Sequence, residues 1–317
     1  MINRRVTIAA PIHNEEEVLP ELLRRVLAVL DQTPGGPHEF LLIDDGSRDG
    51  SVRILEDATQ RDPRVRVVVL SRNFGHQAAV SAAFDHATGD VMMVMDGDLQ
   101  DAPEALPVLL ARLDQGYDVV YVRRAQRKES FWLKASYHLA YRLIAKLSKL
   151  ALPVDAGDFA LLSRRAVDAV RALPERQRYL RGLRSWVGFR QTGEVIERHA
   201  RAAGESKYSV GALVALALDG TFAFSTAPLR FIGALGGMVL IFAGLFSLYA
   251  IVVRVVLGQS PQGFTALTVL VTVIGGMILM SLWIIGEYVG RIYEEVKRRP
   301  VYLVDRTLGA ERHVARD

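Results

Sequence analysis

Hydrophobic positions along this chain change their period several times, and each change marks an element. Val6–Pro11 is a short apolar run, after which Val18, Leu22, Val26 and Val29 recur at helical spacing. Phe40–Asp44, Val65–Leu70 and Val91–Met95 are further runs of strand length, and Val119–Val122 is a fifth. Polar turns and helical patterns lie between them. This alternation predicts an α/β domain with a doubly wound, mostly parallel sheet. From Phe231 to Val253, and again from Phe264 to Gly286, 23 consecutive residues carry no charge. About 20 helical residues cross a bilayer's hydrocarbon core, so the pattern predicts two transmembrane helices. Tyr208–Pro228 is apolar but interrupted by Ser209, Asp219, Thr221 and Ser225, which predicts amphipathic helices at the membrane surface.

The same patterns divide the chain into a domain at 1–207, juxtamembrane helices at 208–228, the spans at 229–290 and a tail at 291–317. Arg230 precedes the first span, and Arg291, Lys297, Arg298 and Arg299 follow the second. The connector Arg254–Gly263 carries one cation. The positive-inside rule then puts both termini and the domain in the cytoplasm, with the connector outside. The N-terminal segment has no long apolar run of the signal-peptide kind, in keeping with that topology. Residues are 50% hydrophobic and 23% charged, which excludes a disordered or collagen-like chain. The absence of cysteine excludes disulfides, thiolate metal sites and a cysteine nucleophile. A net charge of +4 suits a phosphorylated or lipid partner. No basic cluster with interleaved aromatics lies outside the membrane-proximal region, so nucleic-acid binding is not expected.

Unusual polar residues follow the predicted strands. They are Pro11-Ile12-His13-Asn14-Glu15, Asp44-Asp45-Gly46-Ser47, Ser71 to Gln77, and Asp96-Gly97-Asp98-Leu99-Gln100-Asp101. In doubly wound sheets ligands bind beyond the carboxyl ends of the strands. Six acidic residues crowded on one rim repel one another, and a divalent cation relieves that cost. Asp96 and Asp98, one residue apart across a turn, with Gln100 as a neutral oxygen donor, suit Mg²⁺ or Mn²⁺. Alone, an Asp-Gly-Asp is more often a solvated turn and Asp-Asp-Gly-Ser a helix cap. Their succession, each at a strand end, is what favours a site.

Taken together these residues resemble the pattern of glycosyltransferase family 2 on its nucleotide-binding, GT-A type fold. Asp96–Asp101, Gly157-Asp158-Phe159, Ala203–Tyr208 and Gly286–Arg291 are similar to motifs of its polyprenyl-phosphate glycosyltransferase branch. That branch includes dolichol-phosphate mannose synthase and the bactoprenol glucosyltransferases. The resemblance implies transfer of one sugar from a nucleotide-sugar donor to polyprenyl phosphate, with inversion, at a bacterial inner membrane. UDP-glucose is the first expectation for the donor, and undecaprenyl phosphate for the acceptor. The resemblance assigns the nucleotide to Pro11, His13, Asn14, Glu15, Asp44 and Asp45, and the metal to Asp96, Asp98 and Gln100. It assigns donor or lipid phosphates to Arg123, Arg124, Arg201, Ser206 and Lys207. Asp158 is the expected base or orienting group, with Asp155 in reserve. His76 is expected to be structural. Ala160 stands where the branch often has Arg. Small residues at Gly233, Gly236, Gly237, Gly275 and Gly276 permit a homo-oligomer, which related bacterial proteins suggest is a tetramer. A processive polysaccharide synthase is the rival enzyme, but Gln177-Arg178-Tyr179-Leu180-Arg181 does not fit its Q-x-x-R-W motif. A non-enzymatic membrane scaffold is the rival outside enzymes, and the intact acidic set argues against it.

Overall fold

The computed structural model describes residues 3–124, 156–175, 178–196, 227–257 and 263–309. The five expected strands form: β1 (Val6–Ile12), β2 (Glu39–Asp44), β3 (Val65–Leu70), β4 (Val91–Val94) and β5 (Val119–Arg124). Three more follow, β6 (Ala156–Ser163), β7 (Gln191–Ile196) and β8 (Val304–Leu308). Helices α1 (Leu19–Gln32), α2 (Ser51–Arg61), α3 (His76–His86) and α4 (Leu106–Asp114) connect the first five strands. Helices α5 (Arg164–Arg171) and α6 (Leu180–Trp186) lie between β6 and β7, and α7 (Ala227–Leu257) and α8 (Phe264–Lys297) precede β8.

All eight strands form one sheet in the order β7-β5-β6-β4-β1-β2-β3-β8. The pairs β1–β2, β1–β4, β2–β3 and β5–β7 are parallel, as the alternation predicts. β6 runs antiparallel between β4 and β5, and β8 runs antiparallel on β3, so the sheet is mixed. Every residue of β2 is buried, as expected for a strand covered on both faces. On one face α1 buries Leu19, Leu22, Val26, Val29 and Leu30, a stripe at i, i+3 and i+4 spacing. On the other lies α3, buried from Ala78 to Phe84. Its four alanines let the backbone approach the sheet closely, which brings its first residue, His76, to the rim.

β8 is not expected from the sequence, which predicts only a cytoplasmic tail at 291–317. Its edge position explains its composition: Val304–Leu308 is short and includes exposed Asp305 and Arg306. Such a strand closes the hydrogen-bonding edge of β3 without offering a new adhesive one. Ser71 N–H donates to the Leu303 carbonyl at 2.9 Å, and the Tyr302 hydroxyl donates to Asp85 at 2.9 Å. Arg306 pairs with Glu56 at 3.0 Å. The chain leaving α8 is therefore stitched to the loop that follows β3. A chain truncated after Arg299 is expected to lose about 3 kcal/mol of domain stability, from four or so net backbone hydrogen bonds. Denaturant titration of the full-length and truncated proteins in detergent checks this; coincident midpoints would remove β8 from the stability account.

Among the described residues one helix is long and apolar enough to cross a membrane, over Val273–Lys297, with 6% of its apolar window buried. So little burial is unlike the core helix of a soluble protein. Phe231–Phe246 is a shorter apolar segment. The expectation of two spans is thus matched at one, and that one lies further along than the predicted 264–286. The expected surface helices at 208–228 fall outside the described residues.

Candidate active site

β1 has β2 on one side and β4 on the other, so the winding direction reverses there. At such a switch point the loops after the two strands part and leave a crevice. Pro11–Glu15 follow β1 and Asp96–Asp101 follow β4, which places both motifs on that crevice.

The loops are held by carboxylates that the sequence had offered as ligands. Asp45 is 3% exposed and accepts from the Phe74 and Gly75 amides at 2.7 and 2.9 Å. It thereby ties the end of β2 to the loop before α3. Gly46 has φ +67°, and a Cβ there would stand 2.5 Å from the Arg72 carbonyl carbon, so only glycine lets the two loops touch. Asp44 is fully buried; one oxygen accepts from the Ser47 amide at 3.2 Å and the other has no protein hydrogen-bond partner. Asp44 thus lies below the rim, and Asp45 braces the loops that shape it.

His13, Asn14 and Asn73 line the rim and are exposed. The Asn14 side-chain oxygen accepts from the Arg48 amide at 2.8 Å, which fixes its Nδ2 as the donor to His13 Nε2 at 3.1 Å. Asn73 Nδ2 lies 3.0 Å from the same nitrogen. Nε2 is thus the acceptor, and Nδ1–H donates to the Asp45 carbonyl at 3.0 Å. Glu15 is half-buried, and its amide donates to Ser51 Oγ at 3.0 Å. Pro11 is half-buried at the end of β1.

The acidic turn after β4 is built with strain. Leu99 is buried and adopts φ +59°, a region costly for a branched side chain. Two internal bonds hold it there. Asp98 Oδ1 accepts from the Gln100 amide at 3.1 Å, and Asp101, 1% exposed, accepts from the Asp96 amide at 3.1 Å. A Cβ on Gly97 would lie 2.8 Å from the Pro11 carbonyl, so the turn sits directly against β1. Asp96, Asp98 and Gln100 remain half-buried, within reach of solvent. Among the described residues no three His, Asp or Glu side chains gather as a ready cation cage. Two carboxylates and an amide on one turn fit a Mg²⁺- or Mn²⁺-type ion that completes its shell with substrate oxygens and water.

β6 carries Asp158 to the same place. Its register pairs Val94 with Ala160 in antiparallel sense, so two residues on, Asp158 comes level with Asp96. Arg181, from α6, forks onto Asp158 at 2.8 and 3.0 Å. His76 Nε2 stands 3.7 Å from Asp158 and 3.8 Å from Asp96, bridging the two acidic positions. Burial alone would raise the Asp158 carboxyl, but His76 and Arg181 outweigh it and hold it well below the usual carboxylate range. Asp158, with help from Asp96, raises His76 above an ordinary imidazole. Arg184, one turn along α6, is 6% exposed; it donates to the Gly157 carbonyl at 3.3 Å and lies over the Tyr121 ring. Burial draws its guanidinium down to about 10.

The sequence reading missed Arg181 and Arg184, and it set His76 aside as structural. The available signal was the spacing of the two arginines, i and i+3, in a stretch tested only against Q-x-x-R-W. Arg123 is exposed on β5. The side chain of Arg124 and the whole of Asp155, Arg201, Ser206 and Lys207 lie outside the described residues.

The parallel-rich α/β sheet thus presents an acidic turn and an ion-paired carboxylate beside its switch point. A family model described as glycosyl transferase family 2 matches residues 7–171. The SfII prophage-derived bactoprenol glucosyl transferase of Shigella flexneri is 35% identical, over 96% of this chain and 98% of its own length. The undecaprenyl-phosphate 4-deoxy-4-formamido-L-arabinose transferase of Pseudomonas aeruginosa is 37% identical, over 96% and 91%. Glucosyl-3-phosphoglycerate synthase from Mycobacterium tuberculosis, solved with Mn²⁺, UDP and phosphoglyceric acid, shares the fold. It has a TM-score of 0.51 and 19% identity, over 68% of this chain and 75% of that one. The chain belongs to glycosyltransferase family 2 and is a glycosyltransferase.

Proposed function

We propose that the protein transfers a single sugar from a nucleotide-sugar to a polyprenyl phosphate at the cytoplasmic face of a membrane, inverting the anomeric centre. The observation that carries this is the meeting, through His76, of the acidic turn and Asp158 within 4 Å on each side. One element then serves the donor and the other the acceptor. The names of the two relatives supply the lipid phosphate. UDP-glucose is the preferred donor, by likeness to the bactoprenol enzyme, with GDP-mannose and other UDP-sugars as alternatives. Asp96, Asp98 and Gln100 would hold Mg²⁺ or Mn²⁺, which offsets charge on the leaving nucleoside diphosphate. Pro11, His13, Asn14 and Glu15 border the nucleotide. Helices α7 and α8 anchor the protein in the bilayer as a two-span hairpin, and Arg201, Ser206 and Lys207 meet phosphate at its surface.

In the reaction a phosphate oxygen of the lipid forms a bond to the anomeric carbon as the bond to the diphosphate breaks. A phosphomonoester has its second pKa near 6, so roughly 90% is dianionic at pH 7 and little deprotonation is needed. Asp158, ionised and forked onto Arg181, is a poor proton acceptor and acts by orienting its neighbours. Incubating the full-length protein with undecaprenyl phosphate, radiolabelled UDP- or GDP-sugars and Mn²⁺ tests the reading. A lipid-extractable monosaccharide is expected. A polymer would favour the synthase, and no labelled lipid with any donor would refute transfer.

A further inference from the structure

The chain leaves its long apolar helix and returns to the sheet within a few residues. α8 ends at Lys297, Arg298 caps it in the left-handed conformation at φ +51°, and β8 begins at Val304. A left-handed cap followed closely by proline, here Pro300, turns a chain sharply out of a helix. Arg298, Arg299, Pro300 and Val301 alone separate Lys297 from Tyr302, whose hydroxyl is bonded to Asp85. Such a stretch reaches at most about 18 Å even when fully extended. The other connection between the sheet and these helices, residues 197–226, is several times longer.

The short connection grips one particular unit. The Leu303 carbonyl accepts from the Ser71 amide at 2.9 Å, where the loop after β3 begins. The Tyr302 hydroxyl donates to Asp85 at 2.9 Å, near the end of α3, and its ring lies 6.3 Å from that of His86. The segment 71–86 is thus held at both ends. Between those two points lie the residues it delivers to the rim: Asn73 at His13, Phe74 and Gly75 at Asp45, and His76 beside Asp96 and Asp158.

We propose that residues 298–303 are a positioning tether that fixes the height of the site above the bilayer, with Tyr302 and Leu303 as its grips on the domain. The inference rests on the transfer reading above and on α8 lying in the membrane. It deepens that reading by naming what the site demands of its acceptor: a phosphate carried at the bilayer surface by a chain that stays in the membrane. A nucleotide-sugar arrives from water and finds the site at any height. A membrane-held phosphate is confined to one plane, so its effective concentration at the site depends on the tether.

The test inserts Gly-Ser-Gly-Ser between Arg299 and Pro300 of the full-length protein in lipid nanodiscs, with undecaprenyl phosphate and the nucleotide-sugar that supports transfer. β8 and both grips remain, and closing a connection of about twice the length costs little, so the melting midpoint is expected to hold. KM for the lipid is expected to rise about three- to tenfold, because effective concentration falls roughly as the −3/2 power of tether length or more steeply, while kcat and the donor KM stay within about twofold. Tyr302→Phe is expected to act in the same direction by about twofold or more, the worth of one net hydrogen bond. Asp85→Asn keeps an oxygen acceptor for that hydroxyl and is expected to match wild type. Wild-type KM values in the insertion variant would reduce β8 and its grips to fold stability and overturn the tether. An equal rise in the donor KM, or a lowered melting midpoint, would overturn it too, by showing a loosened rim. A second readout needs no transfer. The chain has no cysteine, so Glu17→Cys, exposed just past Asn14, takes a single fluorophore, and energy transfer to a labelled lipid headgroup reports the height. The insertion is expected to broaden that distance distribution, and an unchanged distribution would refute the tether. If the distribution broadens while wild type transfers no sugar with any donor, the tether stands and the transfer reading falls.

Discussion

Asp98→Ala is expected to lower sugar transfer by about 10²–10³-fold while leaving the fold intact. The loss follows from removing charge-stabilising machinery where negative charge develops on the leaving group. The fold survives because Asp98 is half-buried on the rim and its bond to the Gln100 amide, at 3.1 Å, spans a single turn. The strained turn keeps its other brace, the buried Asp101 on the Asp96 amide. Asp101→Ala makes the contrast: it is expected to loosen the turn and lower stability, since the Asp96 amide loses a buried carboxylate that braces it. The measurement is initial rate against Mn²⁺ concentration beside a melting curve. Full, metal-dependent transfer by Asp98→Ala would end the assignment of the acidic turn to the cation.

Asp158→Asn is expected to cut transfer about ten- to a hundredfold without altering the shape of the pH profile between pH 5 and 9. Were Asp158 a base titrating within that range, its removal would erase an acid limb. Its carboxyl is instead held below the ordinary range by His76 and Arg181, so it is ionised throughout. The sign for stability follows. A depressed folded-state pKa stabilises above the unfolded value, near 3.9, and that contribution disappears as pH falls through the folded pKa. Wild type should therefore exceed Asp158→Asn by a constant margin above about pH 5, and the margin should shrink in more acid solution. Because Arg181 is 34% exposed, solvent screening limits the margin to about 1–2 kcal/mol. Melting curves at pH 7 and pH 4 read it. A margin that grows toward acid pH would reverse the charge assignment.

Much of this site was legible in the order of residues. Alternating apolar runs located β1 to β5 within a residue or two, because strands buried on both faces must be continuously apolar. The acidic turn announced itself because it follows such a run directly, and a parallel sheet delivers its strand ends to one rim. Three things were not legible. β6 carries an apolar stretch that no local pattern assigns to the gap between β4 and β5, and only its antiparallel register brings Asp158 level with Asp96. Asp44 and Asp45 read as rim carboxylates, yet burial is a property of the closed loops, and those loops draw both side chains inward. β8 joins β3 across more than two hundred residues, a pairing chosen by an open sheet edge and not by neighbours in sequence.

The sequence by itself therefore determined the class of fold, the apolar helices and the acidic turn, since each depends on local periodicity or on residues a few positions apart. Only the tertiary structure decided which carboxylates brace the loops, and that His76 and Arg181 meet at Asp158 with Arg184 against the Gly157 carbonyl. Those assignments depend on charges from separate elements meeting within a few ångströms, and the cost of burying a charge is set by what meets it.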